Sequence, residues 1–181
     1  SVKTEYDSIA EKSNKLKQEK EEIIKIIVEI DKKKKSAFMK TLNVINEYFT
    51  ENFLKLSNKG KAFLDVENKE DPFAGGIDII VKFAKGKYFD VTGLSGGEQT
   101  LVALSLIFAI QRYKPYYFYI LDEIDAALDK RNSERLSDLI NQNVKLAQYI
   151  VITHNDQLMT TSPTLYGVSM QEGISKIVSL K

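Results

Sequence analysis

The 181-residue chain is 43% hydrophobic and 28% charged, with 26 basic against 25 acidic side chains. Those proportions exclude a disordered or collagen-like polypeptide, and the near-neutral balance gives no overall attraction to nucleic acid or anionic lipid. No apolar run approaches the roughly 18 residues that cross a bilayer. The absence of cysteine excludes a disulfide scaffold, a thiol nucleophile and a cysteine-ligated metal. No secretory signal is visible, so a cytoplasmic location is expected. The first residue is Ser1, which suggests a fragment or a processed chain.

Residues 1–35 hold ten lysines and eight acidic residues, with no glycine or proline. Val2, Ile9, Leu16, Ile23 and Ile30 recur every seven residues, and a second row at Tyr6, Ser13, Lys20, Ile27 and Lys34 is only partly apolar. A sevenfold apolar repeat winds a helix around a partner, which predicts one strand of a coiled-coil arm. A solitary charged surface helix is the alternative. Residues 36–181 read as a separate domain. It opens with a helix over 36–56 whose face carries Phe38, Leu42, Ile45, Phe49 and Phe53. From Lys61 the period changes to two, which predicts antiparallel strands at Ala62–Val66, Ile77–Val81 and Tyr88–Thr92, with a turn at Lys85-Gly86-Lys87. Beyond Gly93, helices from Ser95 and Lys130 alternate with apolar strands at Tyr116–Leu121 and Tyr149–Thr153. Two closing strands follow near Leu165–Met170 and Ile174–Leu180. The fold class expected is α/β, with a mainly parallel sheet buried on both faces, an antiparallel strand region and the N-terminal helix.

Three stretches carry chemistry. In Leu94-Ser95-Gly96-Gly97-Glu98-Gln99, Ser95 and Glu98 form a capping box, which starts a helix at Ser95. The unpaired N–H groups of a helix start favour an anion, and Gly96 and Gly97 let a phosphate come close. An ordinary capped helix explains the same residues equally well on physics alone. The second stretch ends the strand Tyr116–Leu121 in Asp122-Glu123. One carboxylate can reach a magnesium ion while the other faces a reacting water, because neighbours on a strand point to opposite sides. An acid pair that merely caps the next helix is the plain alternative. The third ends the strand Tyr149–Thr153 in His154, the sole histidine. A lone histidine is more often a satisfied polar residue, but this one shares the carboxyl edge of the sheet, where ligands bind in α/β folds. Asp129 reads as the N-cap of the helix after it. No two glycines stand five positions apart, so the chain has no Gly-x4-Gly-Lys-Ser/Thr phosphate loop.

In this order the signature string, the Asp122-Glu123 strand end, Asp129 and His154 resemble the ATP-binding-cassette ATPases. Asp122-Glu123-Ile124-Asp125-Ala126-Ala127-Leu128-Asp129 is similar to the form in structural-maintenance-of-chromosomes (SMC) proteins, where transporters carry proline after the glutamate. Asp71-Pro72-Phe73-Ala74-Gly75-Gly76-Ile77 resembles a segment before the signature of SMC C-terminal head lobes, and Gly167-Val168-Ser169-Met170 and Gly173-Ile174-Ser175-Lys176 resemble their ending. The resemblance implies the C-terminal half of an SMC ATPase head. Its cofactors would be ATP and Mg2+. Asp122 would help hold the metal, Glu123 would polarise the attacking water, and His154 would contact the γ-phosphate region. Leu94 to Gln99, through Ser95, Gly96 and Gly97 and with Glu98, would bind the ATP of a second head in trans. Asp129 would lie in the loop between the two sites. Partners would be the N-terminal head lobe, a second SMC head, a kleisin subunit and DNA, in chromosome segregation and condensation, and the chain alone would be inactive. A zinc-hook DNA-repair ATPase half and a non-enzymatic coiled-coil module are the competing readings.

Overall fold

The computed structural model describes residues 2–57, 60–83 and 88–180; the turn expected at Lys85-Gly86-Lys87 lies outside them. The chain divides into two units, Ser1–Asn43 and Val44–Lys181. Helix α1 (Val2–Leu56) contributes to both. In the first unit, Val2, Ile9, Leu16, Ile23 and Ile30 are all exposed, and so are Ile26 and Ile27. These apolar side chains stay in water, although burying each isoleucine or leucine would be worth about 1.5–3 kcal/mol.

The second unit is mixed α/β, as the sequence predicts. Its first sheet orders β1 (Gly60–Val66), β2 (Ile77–Phe83) and β3 (Tyr88–Asp90) antiparallel. Ala62, Leu64 and Val66 are buried on one face, which is the period-two pattern made real. The end of α1 is stitched to this sheet. Asn46 donates Nδ2 to the Leu64 carbonyl at 3.2 Å and accepts the Leu64 N–H at 2.7 Å, while Thr50 donates to the Ala62 carbonyl at 2.8 Å. The third strand stops two residues earlier than the sequence suggests. Asp90 accepts the Thr92 N–H at 3.2 Å and turns Val91–Gly93 into a 3-10 helix.

Helix α2 (Gly96–Tyr113) leads to β4 (Phe118–Asp122), then α3 (Lys130–Asn143), β5 (Gln148–Ile152) and the short α4 (Asp156–Thr161). Strands β4 and β5 pair in parallel, with Ile120 opposite Ile150 and Asp122 opposite Ile152. Leu121 of β4, with Tyr149 and Val151 of β5, packs into a core formed by Leu101, Leu104 and Phe108 of α2, Leu136, Leu139 and Ile140 of α3, and Leu158 of α4. The Tyr149 ring stacks on Phe108 and Tyr119, and its hydroxyl donates to Gln111 Oε1 at 2.9 Å. Burial pushes that hydroxyl up to about 12. Truncating the fully buried Leu136 to alanine should cost about 2–5 kcal/mol, read as a lower urea midpoint at constant slope.

One expectation fails here. The apolar runs of β4 and β5 predict a sheet covered on both faces, yet among the described residues only one face is covered. Phe118 and Ile120 remain 58% and 60% exposed, and Ile150 and Ile152 remain 46% and 49% exposed. Alternation places Asp122 on that same open face. The sequence reads as buried because these residues are apolar on both sides; the described helices α2, α3 and α4 pack on one side. Strands β6 (Tyr166–Gln171) and β7 (Ile174–Ser179) close the chain as a hairpin. Its two-residue turn puts Glu172 and Gly173 at φ 52° and 79°, the positive pair that a tight hairpin of matching twist requires.

Candidate functional site

The site lies where β4 and β5 end. The Glu123 N–H still donates to the Ile152 carbonyl at 2.9 Å, which extends the parallel ladder by one bond past Asp122. Its own φ is 47°, a left-handed conformation that costs a non-glycine residue about 1–2 kcal/mol. That turn breaks strand alternation, so Glu123 does not simply oppose Asp122. Its Oε1 comes within 3.5 Å of His154 Nε2, the two side chains being 57% and 91% exposed. An exposed pair of this kind contributes little to stability, roughly 0–1 kcal/mol. The backbone strain at Glu123 is therefore not offset by the contact it makes, and strain of that sort gathers at functional sites.

Behind the exposed pair is a partly buried network that the sequence reading did not single out. Asp125 is 5% exposed, and its Oδ2 accepts the Thr153 hydroxyl at 2.7 Å. Thr153 Oγ1 in turn accepts the Asn155 N–H at 2.9 Å. Asn155 donates Nδ2 to Ser133 Oγ at 3.0 Å and caps α4 by accepting the Gln157 N–H at 2.9 Å. Asp125 and Thr153 stand 28 residues apart, so no local pattern in the sequence announces their bond.

Asp129 caps α3 by accepting the Asn132 N–H at 2.8 Å, so its structural role is filled. At the start of α2, Glu98 Oε2 accepts both the Ser95 N–H at 3.1 Å and the Ser95 hydroxyl at 2.9 Å. The expected donation from Ser95 to a phosphate therefore requires that hydroxyl to rotate away from Glu98. Leu94 is buried, and Gln99 donates Nε2 to the Val91 carbonyl at 3.0 Å, both serving the fold. The two glycines differ. A Cβ on Gly97 would meet the Ala127 carbonyl at 3.1 Å, which packs the start of α2 against the loop after β4; a Cβ on Gly96 would meet nothing within 4 Å. The smallness of Gly97 is explained inside this chain and that of Gly96 is not.

Among the described residues no three histidine or carboxylate side chains converge to hold a metal. Magnesium commonly takes one or two carboxylates and fills its octahedron with water and phosphate oxygens. A single strand-end aspartate, Asp122, fits that sparse set.

Residues 1–176 match the model of the RecF/RecN/SMC N terminal domain. The chain belongs to the RecF/RecN/SMC family. It is 48% identical over 179 residues, 99% of its length, to the chromosome partition protein Smc of Pyrococcus furiosus, and spans 15% of that relative. The solved Pyrococcus furiosus Smc head with an extended coiled coil, bound to the C-terminal domain of ScpA, superposes with a TM-score of 0.89 at 47% identity, over 99% of this chain and 45% of that one. A structure from work on ATP-driven dimerization and DNA-stimulated activation of SMC ATPases superposes at 0.75 with 46% identity, over 81% and 89% of the two chains. The fold is thus the mixed α/β fold of SMC heads. The matched model is described as the N terminal domain, and this overturns the expectation of a C-terminal half, together with the partner deduced from it, an N-terminal lobe of the same polypeptide. That description does not bring a phosphate loop into these 181 residues, which contain no Gly-x4-Gly-Lys-Ser/Thr string.

Proposed function

We propose that this chain is a portion of an SMC ATPase head that acts on ATP held largely by another portion, the one that carries the phosphate loop. The observation that carries the reading is Glu123. It stands in a left-handed turn at the end of β4, solvent-accessible, beside Asp122 and 3.5 Å from His154. Phosphoryl transfer to water depends on positioning and charge stabilisation more than on covalent chemistry. A carboxylate held at a strand end can accept the proton of an in-line water. His154 would meet the γ-phosphate region, and Asp122 would hold Mg2+, which supplies charge neutralisation at the β- and γ-phosphates. Ser95, Gly96 and Gly97 would grip the ATP of a second head, closing a dimer, with Asp129 in the loop between the sites.

The open face of β4 and β5 supports the same reading. Phe118, Ile120, Ile150 and Ile152 await a covering element, and Asp122 projects among them. The complementary head portion is that element. Residues 1–35 serve as the coiled-coil arm and residues 36–181 as the head portion. Kleisin and DNA are the further partners, supported by a neighbour bound to ScpA and by another studied for DNA-stimulated activation. The role is chromosome segregation and condensation in the nucleoid, the relatives being chromosome partition proteins.

Mixing this chain with a head portion that carries a phosphate loop should yield magnesium-dependent ATP hydrolysis that neither piece shows alone. Replacing Ile120 with lysine on the open face should abolish that complementation while leaving the melting temperature of this chain within a few degrees. Full ATP hydrolysis by this chain on its own would refute the proposal.

A further inference from the structure

We infer that the part-buried hydrogen bond between Asp125 and Thr153 is the device that keeps Glu123 and His154 in register, which makes both positioning residues. The inference rests on the site reading above. Glu123 and His154 are mostly in water, and each sits on a loop that leaves its strand. Exposed side chains on separate loops hold a fixed separation only if the loops are tied together below them. Two ties exist. One is the backbone bond from the Glu123 N–H to the Ile152 carbonyl. The other is the 2.7 Å bond from the Thr153 hydroxyl to Asp125, two residues beyond Glu123 and one before His154.

The chemistry of the second tie is directional. Thr153 Oγ1 already accepts the Asn155 N–H, so its single proton points to the carboxylate. The acceptor is a carboxyl oxygen, and Asp125 is buried, which limits its freedom to look elsewhere. The turn that carries it is closed by the Ala126 N–H on the Glu123 carbonyl at 3.1 Å and the Leu128 N–H on the Asp125 carbonyl at 2.9 Å. A shift of Asp125 therefore moves Glu123. On the other side, Asn155 anchors the Thr153 loop to Ser133 of α3. A displacement of about 1 Å at reacting groups can cost a hundredfold in rate.

The test is a double-mutant cycle in the assembled head, this chain with the portion that bears the phosphate loop, under saturating ATP and Mg2+. Asp125→Ala and Thr153→Val should each lower kcat about 10–100-fold and change ATP affinity less than threefold. The double variant should lose no more than the worse single one, because one bond is removed in all three. Asp125→Asn and Thr153→Ser, which keep an acceptor and a hydroxyl, should recover kcat to within about fivefold, and they carry the test should the truncated forms unfold. Multiplying losses, or asparagine and serine forms as slow as the truncations, would overturn the tie while leaving Glu123 in its role. Glu123→Gln, run alongside, separates the two failures: undiminished turnover there overturns the site reading and the tie with it.

Discussion

Glu123→Gln in an assembled head should lower ATP turnover about 10²–10⁴-fold, the range a positioned general base contributes, while ATP binding stays within about threefold. The amide has nearly the shape of the carboxylate and tolerates the same backbone, so the left-handed turn at φ 47° and the bond from its N–H to the Ile152 carbonyl persist. What is lost is a proton acceptor. ATP should remain because its phosphates are gripped by the complementary portion, and Asp122 is untouched. Single-turnover hydrolysis and equilibrium nucleotide binding, measured on the same preparation, separate the two effects. Undiminished hydrolysis would take Glu123 out of the reaction. A parallel collapse of binding would show that the substitution had disturbed the strand end instead of the chemistry.

The architecture was legible because each element carries a local signal. Ala62, Leu64 and Val66 alternate, and they are buried on one face of β1. Ser95 and Glu98 mark the start of α2, and Asp129 marks that of α3. Asp122, Glu123 and His154 were singled out because two apolar runs end in them. Three things were not legible, each for a physical reason. An apolar strand has no mark for which of its faces this chain covers, so the open side of Phe118, Ile120, Ile150 and Ile152 emerged only when α2 and α3 were found on one side. The Asp125–Thr153 bond joins residues 28 apart, and no local pattern announces a tie of that range. Six-residue α4 is too short for a periodic apolar face; its start is set by the Asn155 cap alone. Ser95 shows the converse. Its helix-start role was evident, but the hydroxyl gives its proton to Glu98, which a spacing argument cannot foresee.

Ser95→Arg should abolish ATP-dependent pairing of heads while leaving ATP binding to one assembled head nearly intact. Ser95 is exposed at the start of α2, so a guanidinium can extend into solvent without burial, and the backbone N–H at that position can still reach Glu98 Oε2. The fold should lose only the cap contribution, on the order of 1 kcal/mol. The partner head loses much more, because a bulky side chain replaces the hydroxyl where its nucleotide must meet the helix N-terminus. Gly96→Leu is the companion. A Cβ there meets nothing within 4 Å in this chain, and leucine is the better helix former, so thermal stability should hold or rise. If an external phosphate is what requires that space, pairing should nevertheless fail. Light scattering of the Glu123→Gln head with ATP, with and without each substitution, reads the outcome. Dimers of normal mass in both variants would mean that α2 does not face a second head, and the open space at Gly96 would need another occupant. Loss of pairing with unchanged melting would assign the surface at Ser95 and Gly96 to a neighbour's nucleotide, since a Cβ at Gly96 meets none of the described residues within 4 Å.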